Sequence, residues 1–211
     1  MWLLRKACLG LLGLMGWQSR LVWPPEPRGL ILVYPHTSNW DFVIGVLFRV
    51  GNGLPAHWMG KDSMFFWPFR GLLLKIGGVP INRRERTGLI AALVEEFQRH
   101  DWMWLAMAPE GTRAKTDHLK SGFYQIALAA NLPIGLAAID YGRRCVSIDT
   151  YVRMTGDEQA DLDTLRTYYA DKQARLPAPR CPPKLDRPQT SGDGRKRMSP
   201  TSAGSRACLS A

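Results

Sequence analysis

The chain is poor in the residues that would staple it, hold a metal or carry it across a bilayer. It has four cysteines in 211 residues (Cys8, Cys145, Cys181 and Cys208), no C-x-x-C pair, and four scattered histidines. That excludes a disulfide framework and a clustered zinc site, and makes a reducing compartment the default. No apolar run approaches the roughly 20 residues needed to cross a bilayer. There is no G-x-S-x-G, and no cysteine lies near His36, so no nucleophile motif accompanies that histidine. Acidic residues are also scarce, 18 against 28 Lys and Arg, for a formal charge of +10. An imbalance of this size calls for an anionic partner: a phosphorylated substrate, a membrane surface or nucleic acid. Nucleic acid is set aside, because the chain is aromatic-rich and carries no base-reading motif.

What is present is an α/β pattern with different material at each end. Residues 1–27 begin with Arg5-Lys6 and a short glycine-bearing apolar run, then a proline linker, Trp23-Pro24-Pro25-Glu26-Pro27. This reads as an interfacial segment lying on a membrane surface, the rival being a helix packed on the domain. Trp2, Trp17, Trp23, Trp58 and Trp67 lie among apolar and basic residues, as at a headgroup layer, whereas Trp102 and Trp104 read as core. From 28 to 176 the patterning predicts strands at 29–34, 55–59, 103–108, 133–139 and 145–152. It predicts helices at 41–50, 70–76, 122–131 and 161–175, and one capped by Thr87 that runs to His100. Strands alternating with helices imply a single α/β domain, with a mostly parallel, possibly mixed sheet flanked by helices. Residues 177–211 are rich in Pro, Ser, Gly, Arg and Lys without apolar periodicity, and read as a disordered basic tail.

Three polar stretches fall where strands end, the edge at which α/β sheets gather ligands. In Tyr34-Pro35-His36-Thr37-Ser38-Asn39-Trp40-Asp41, a strand–turn–helix path brings the carboxylate back under the imidazole. A neutral imidazole held on one nitrogen by a carboxylate can take a proton from an alcohol with the other. The same spacing recurs at His57 and Asp62, but His57 falls inside an extended run and reads as structural. Arg83, beside Arg84 and Arg86, offers planar donors suited to phosphate. Pro109-Glu110-Gly111-Thr112-Arg113 sets an acid, a glycine and a hydroxyl in one turn. Each stretch alone also suits a plain structural or solvated turn.

In this order and spacing the three resemble the glycerolipid acyltransferase family, whose type member is 1-acylglycerol-3-phosphate O-acyltransferase. The H-x4-D block matches His36 to Asp41, the block ending in arginine matches Gly77 to Arg83, and P-E-G-T-R matches Pro109 to Arg113. A following K-x-G matches Lys120-Ser121-Gly122, and the likeness covers residues 29–141. Pro35 stands where the family has Asn, Ala108 and Ala114 flank the third block, and the proline-containing fourth block is partial at Leu132-Pro133-Ile134. The resemblance implies that His36 is a general base and that Asp41 orients it. Arg83 and Lys120 would hold an acceptor's phosphate, and Glu110, Gly111, Thr112 and Arg113 would serve substrate binding. It implies acyl transfer from acyl-CoA or acyl-carrier protein to a lysophospholipid, without cofactor or metal, at the cytoplasmic face of a membrane. A non-phosphate acceptor such as a lyso-ornithine lipid, and a non-catalytic lipid-binding protein, are the alternatives.

Overall fold

Residues 30–32, 103–105 and 134–139 are apolar almost without interruption, the composition of strands covered on both faces. In the computed structural model, which describes residues 1–81, 88–111, 118–176 and 184–186, these runs lie at the centre of the sheet. Among the described residues seven strands form: β1 (Gln18–Leu21), β2 (Arg28–Val33), β3 (Ala56–Lys61), β4 (Gly78–Ile81), β5 (Met103–Met107), β6 (Ile134–Asp140) and β7 (Cys145–Val152). They pair in the order β1-β7-β6-β2-β5-β3-β4. The strands from β6 to β4 run parallel, and β7 returns antiparallel to β6 with β1 beside it. The sheet is therefore mixed and mostly parallel, as the strand–helix alternation predicts.

The pleat splits the core in two. Leu30, Leu32, Leu105, Ile134 and Leu136 face α4 (Leu89–Arg99), α5 (Gly122–Ala129) and α6 (Glu158–Tyr169). Ile31, Trp104, Ile139 and Val146 face α1 (Trp2–Leu14) and α2 (Asn39–Asn52), through Leu12, Ile44 and Phe48. A short helix, α3 (Arg70–Lys75), covers this second face at the β3–β4 end of the sheet. A Cβ on Gly78 would lie 2.7 Å from the Trp58 ring and 2.8 Å from the Leu73 carbonyl oxygen, so only glycine lets that cover approach.

Several boundaries differ from the sequence pattern, each for a local reason. α6 starts earlier than 161 because the Asp157 carboxylate accepts the N–H groups of Gln159 and Ala160, and it ends at Tyr169. Thr87 lies outside the described residues, and Gly88 in the left-handed region occupies the N-cap of α4. β1 carries no strand-like apolar pattern, being an edge strand of mixed exposure. Trp17 and Trp58 turn inward: Trp17 packs edge-on to Tyr141, and Trp58 lies between Phe42 and Phe65. α1 packs on α2 through Leu9 and Leu12, yet keeps most of its apolar side chains in solvent.

Within the tail, Lys184–Asp186 pair with the backbone of Leu119. Leu119 donates to the Lys184 carbonyl at 2.6 Å, Asp186 donates to the Leu119 carbonyl at 2.9 Å, and Leu185 packs against the α4–α6 core. The remaining residues beyond 176 lie outside those described. Ending the chain after Asp186 is expected to leave thermal unfolding unchanged. Ending it after Arg175 should cost about 1–2 kcal/mol for the lost burial and hydrogen bonds, a Tm drop of a few degrees.

Candidate active site

β5, β2 and β6 are adjacent and parallel, so their following turns leave the same edge of the sheet. From these turns come Glu110 after β5, His36 and Asp41 after β2, and Tyr141 after β6. Asp41 is the hub. It is the third residue of α2 and closes a capping box: the Ser38 hydroxyl accepts the backbone N–H of Asp41, and the Asp41 carboxylate accepts the Ser38 N–H at 2.8 Å, while the Trp40 N–H also donates to the Ser38 hydroxyl at 3.2 Å. Oδ2 also accepts the Thr37 N–H at 2.9 Å. Oδ1 accepts the Tyr141 hydroxyl at 2.7 Å.

Against the opposing effect of burial, the His36 imidazole, the Tyr141 hydroxyl and the Ser38 N–H hold the Asp41 carboxyl below the usual carboxylate range. Asp41 is therefore an anion at neutral pH although only 3% of it is exposed. Nδ1 of His36 lies 3.2 Å from Asp41 Oδ2, at ion-pair distance but not aligned as a hydrogen bond.

The Glu110 side chain turns inward toward the same turn. Its Oε2 accepts the backbone N–H of His36 at 2.9 Å, tying the end of β5 to the end of β2. Burial, reinforced by the charge of Asp41 and opposed by His36, pushes its carboxyl up to about 7. Gly111 follows with φ +64°, and its N–H donates to the Ala108 carbonyl at 3.2 Å.

Lys120 packs beside Gly111, 3.2 Å from where a Cβ would stand. Its ammonium group donates to Asp186 at 3.0 Å. Arg83, Thr112 and Arg113 lie outside the described residues, though β4 ends at Ile81 on the same edge of the sheet. The structure thus gathers His36, Asp41 and Glu110, sets Lys120 alongside them, and gives its charge a partner within the chain. His57, on β3, has neither an ion pair nor a hydrogen bond to Asp62 among the described residues, and burial lowers its pKa.

Beneath the turn lies a cavity of about 160 Å³ between α2 and the sheet. Ile31, Val33, Phe42, Gly45, Ala106 and Ala137 line it, and His36 and Asp41 stand in its wall. The small side chains at 45, 106 and 137 leave the space open. A proton-accepting imidazole beside an apolar slot suits a substrate with a hydrocarbon arm and a reacting polar end.

A family model described as Acyltransferase matches residues 24–139, more than half of the chain. The chain belongs to the glycerolipid acyltransferase family. Acyl transfer is its general function. No curated protein and no solved structure matches it. The matched span of this acyltransferase runs from the proline linker to the end of β6, and so contains the gathered residues of β2 and β5. Tyr141 lies just beyond it and carries no motif. The one sequence signal for it is a polar residue in the turn after an apolar strand.

Two outcomes follow from this geometry. Glu110 holds a proton in the folded state up to about pH 7, whereas the unfolded chain releases it near 4.5. Between those values the folded state binds more protons, so this group's contribution to stability falls as pH rises and is lost above 7. Glu110→Gln keeps an acceptor for the His36 N–H without the titration. It should match the wild type near pH 4.5 and exceed it by on the order of 3 kcal/mol at pH 8, read from denaturant unfolding at both pH values. Tyr141→Phe removes one donor from Asp41. Acyl transfer should fall about tenfold, and the acid limb of the pH–kcat/KM profile should move to higher pH as the carboxylate becomes more basic. An unmoved acid limb would make Tyr141 a packing residue only.

Proposed function

We propose that the chain transfers a fatty acyl group from acyl-CoA or acyl-carrier protein to the free hydroxyl of 1-acylglycerol-3-phosphate, giving phosphatidate, as a peripheral protein on the cytoplasmic face of a membrane. The observation that carries this reading is His36 Nδ1 facing the ionised Asp41 at the wall of an apolar cavity. With Nδ1 toward Asp41, Nε2 of His36 accepts the acceptor's hydroxyl proton. The alcohol oxygen attacks the thioester carbonyl, the tetrahedral adduct collapses with cleavage of the C–S bond, and the proton on Nε2 passes to the departing thiolate. Asp41 balances the imidazolium that forms between the two transfers. Every atom and proton is supplied by the two substrates and His36, so the step calls on no metal or cofactor.

In this reading Glu110 positions the His36 backbone, and Arg83, with Thr112 and Arg113, binds the acceptor's polar end. Gly111 gives the turn its left-handed bend. A second reading, a non-phosphate acceptor such as a lyso-ornithine lipid, is favoured by one observation: the ammonium group of Lys120 is already paired with Asp186.

Purified protein given radiolabelled acyl-CoA, with lysophosphatidate, monoacylglycerol and lyso-ornithine lipid as acceptors, tests these points together. His36→Ala should cut turnover by about 10²–10⁴-fold, and His57→Ala by far less. Wild type should prefer lysophosphatidate over monoacylglycerol, and Arg83→Ala should lose most of that preference, with Arg83→Lys recovering part of it. Equal use of the two acceptors by wild type would reject the phosphate reading. Full activity in His36→Ala would reject the catalytic one.

A further inference from the structure

The two faces of the sheet present different surfaces. On the face of α4, α5 and α6, Leu128 is the one large apolar helix residue that is exposed among the described residues. Glu95, Glu158 and Asp163 are also exposed on α4 and α6, where acids outnumber bases although Arg99 and Arg166 pair with Glu95 and Asp163. The opposite face is the reverse. α1 exposes Trp2, Leu3 and Leu14 and carries Arg5 and Lys6 but no acid. The turn into α3 and the helix itself expose Phe66, Trp67, Phe69 and Leu72, with Trp67 at 88%, and α3 carries Arg70 and Lys75 but no acid.

Residues 66–72 are not spare core. Phe65 already supplies the inward contact, stacking on Trp58 at 5.7 Å between ring centroids, and Trp58 meets Phe42 edge-on at 4.7 Å. Phe42 and Trp58 also line the cavity beside His36. Ring contacts therefore run from the cavity wall as far as Phe65, and the next residue along the chain, Phe66, turns outward to meet Phe69 with ring centroids 5.6 Å apart. α2 joins the two exposed elements: Leu9 of α1 packs at Gly51, and Arg49 donates to the Ile76 carbonyl at 3.1 Å just after α3.

We infer that the surface around Phe66, Trp67, Phe69 and Leu72 is a second bilayer-docking element, acting with the outer face of α1 and occupied by a membrane carrying anionic headgroups. Aromatic side chains suit the headgroup–acyl boundary, and lysine and arginine at the rim suit its negative charge. Interfacial binding scales with buried apolar area, so two elements on one face bind more firmly than α1 alone and set one orientation. Bound in this way, Phe66 and Phe69 sit in the acyl layer one residue along the chain from Phe65, whose ring packs on the cavity-lining Trp58. The inference rests on the peripheral-membrane part of the proposed function and not on acyl transfer.

The test is sedimentation of the full chain with vesicles of phosphatidylcholine alone, and with a third of it replaced by phosphatidylglycerol. The wild type should bind the mixed vesicles more tightly. Trp67→Ser with Phe69→Ser, both exposed and so compatible with an unchanged Tm, should weaken binding to both vesicles about tenfold. Arg70→Glu with Lys75→Glu should weaken binding only where phosphatidylglycerol is present. Brominated acyl chains should quench wild-type fluorescence more than that of Trp67→Phe. Serine variants that bind like the wild type would overturn the second element; a Leu3→Ser, Leu14→Ser chain that then loses binding would show that α1 alone holds the membrane. A wild type that binds neither vesicle would end the peripheral-membrane reading as well. A lipid-free dimer that the serine variants turn into monomer would also overturn the inference, making a second copy the occupant.

Discussion

One buried carboxylate holds the candidate site together. Asp41 caps α2, closes the turn after β2, receives the hydroxyl at the end of β6 and faces the imidazole of His36. The cost of burying its charge is met because it accepts from two backbone N–H groups and a phenol in addition to its contact with the imidazole. Those bonds also fix its direction. Oδ1 is engaged by Tyr141 and Oδ2 by the turn, so the face offered to His36 follows from the fold rather than from a free side-chain rotamer. Helix nucleation and proton chemistry thus draw on the same two oxygens.

The neighbouring carboxyl has the opposite electrostatic fate. Glu110 is buried within reach of the charge of Asp41, and one backbone N–H is too little to keep it ionised across the neutral range. Two acids a few residues' width apart are thereby separated in character, one an anion and one near its midpoint at neutral pH. The difference comes from donor count: where donors converge the charge stays, and where burial dominates the proton stays. Glu110 in this position works on the backbone of His36, a role that a polar residue in a P-E-G-T-R turn does not announce.

How much of this was legible in the sequence depended on whether the cause was local. The α/β class, the strand under His36 and the helix that holds Asp41 follow from apolar runs visible in order along the chain, whereas the Ser38 cap that starts α2 at Asn39 rather than at 41 is a side-chain bond that the apolar pattern does not register. The mixed character of the sheet turns on β7 running back along β6 and on β1 adding beside it, and β1 has no pattern of its own to read. Tyr141 stands 100 positions from Asp41 and becomes its neighbour only because β6 pairs with β2. Lys120 was legible as a cation but not as a paired one, since Asp186 lies in a segment whose composition reads as unstructured. Residues such as Trp17 and Trp58, alike in sequence context to Trp2 and Trp67, divide between inside and outside by the helix side, strand face or turn on which each falls, which composition does not encode.

The passage from α1 to β1 leaves no swivel. The backbone N–H groups of Met15, Gly16 and Trp17 donate to carbonyls of the last turns of α1, and Gln18 donates to the Arg144 carbonyl as the strand begins. α1 is thus spliced to the sheet edge at its end and wedged on α2 along its side. A helix on a loose leader would sample a hemisphere of attitudes; this one has a single bearing relative to the strands. Any torque felt at Trp2 or Leu3 turns the whole sheet with it, and so sets the compass direction in which the cavity beside His36 looks.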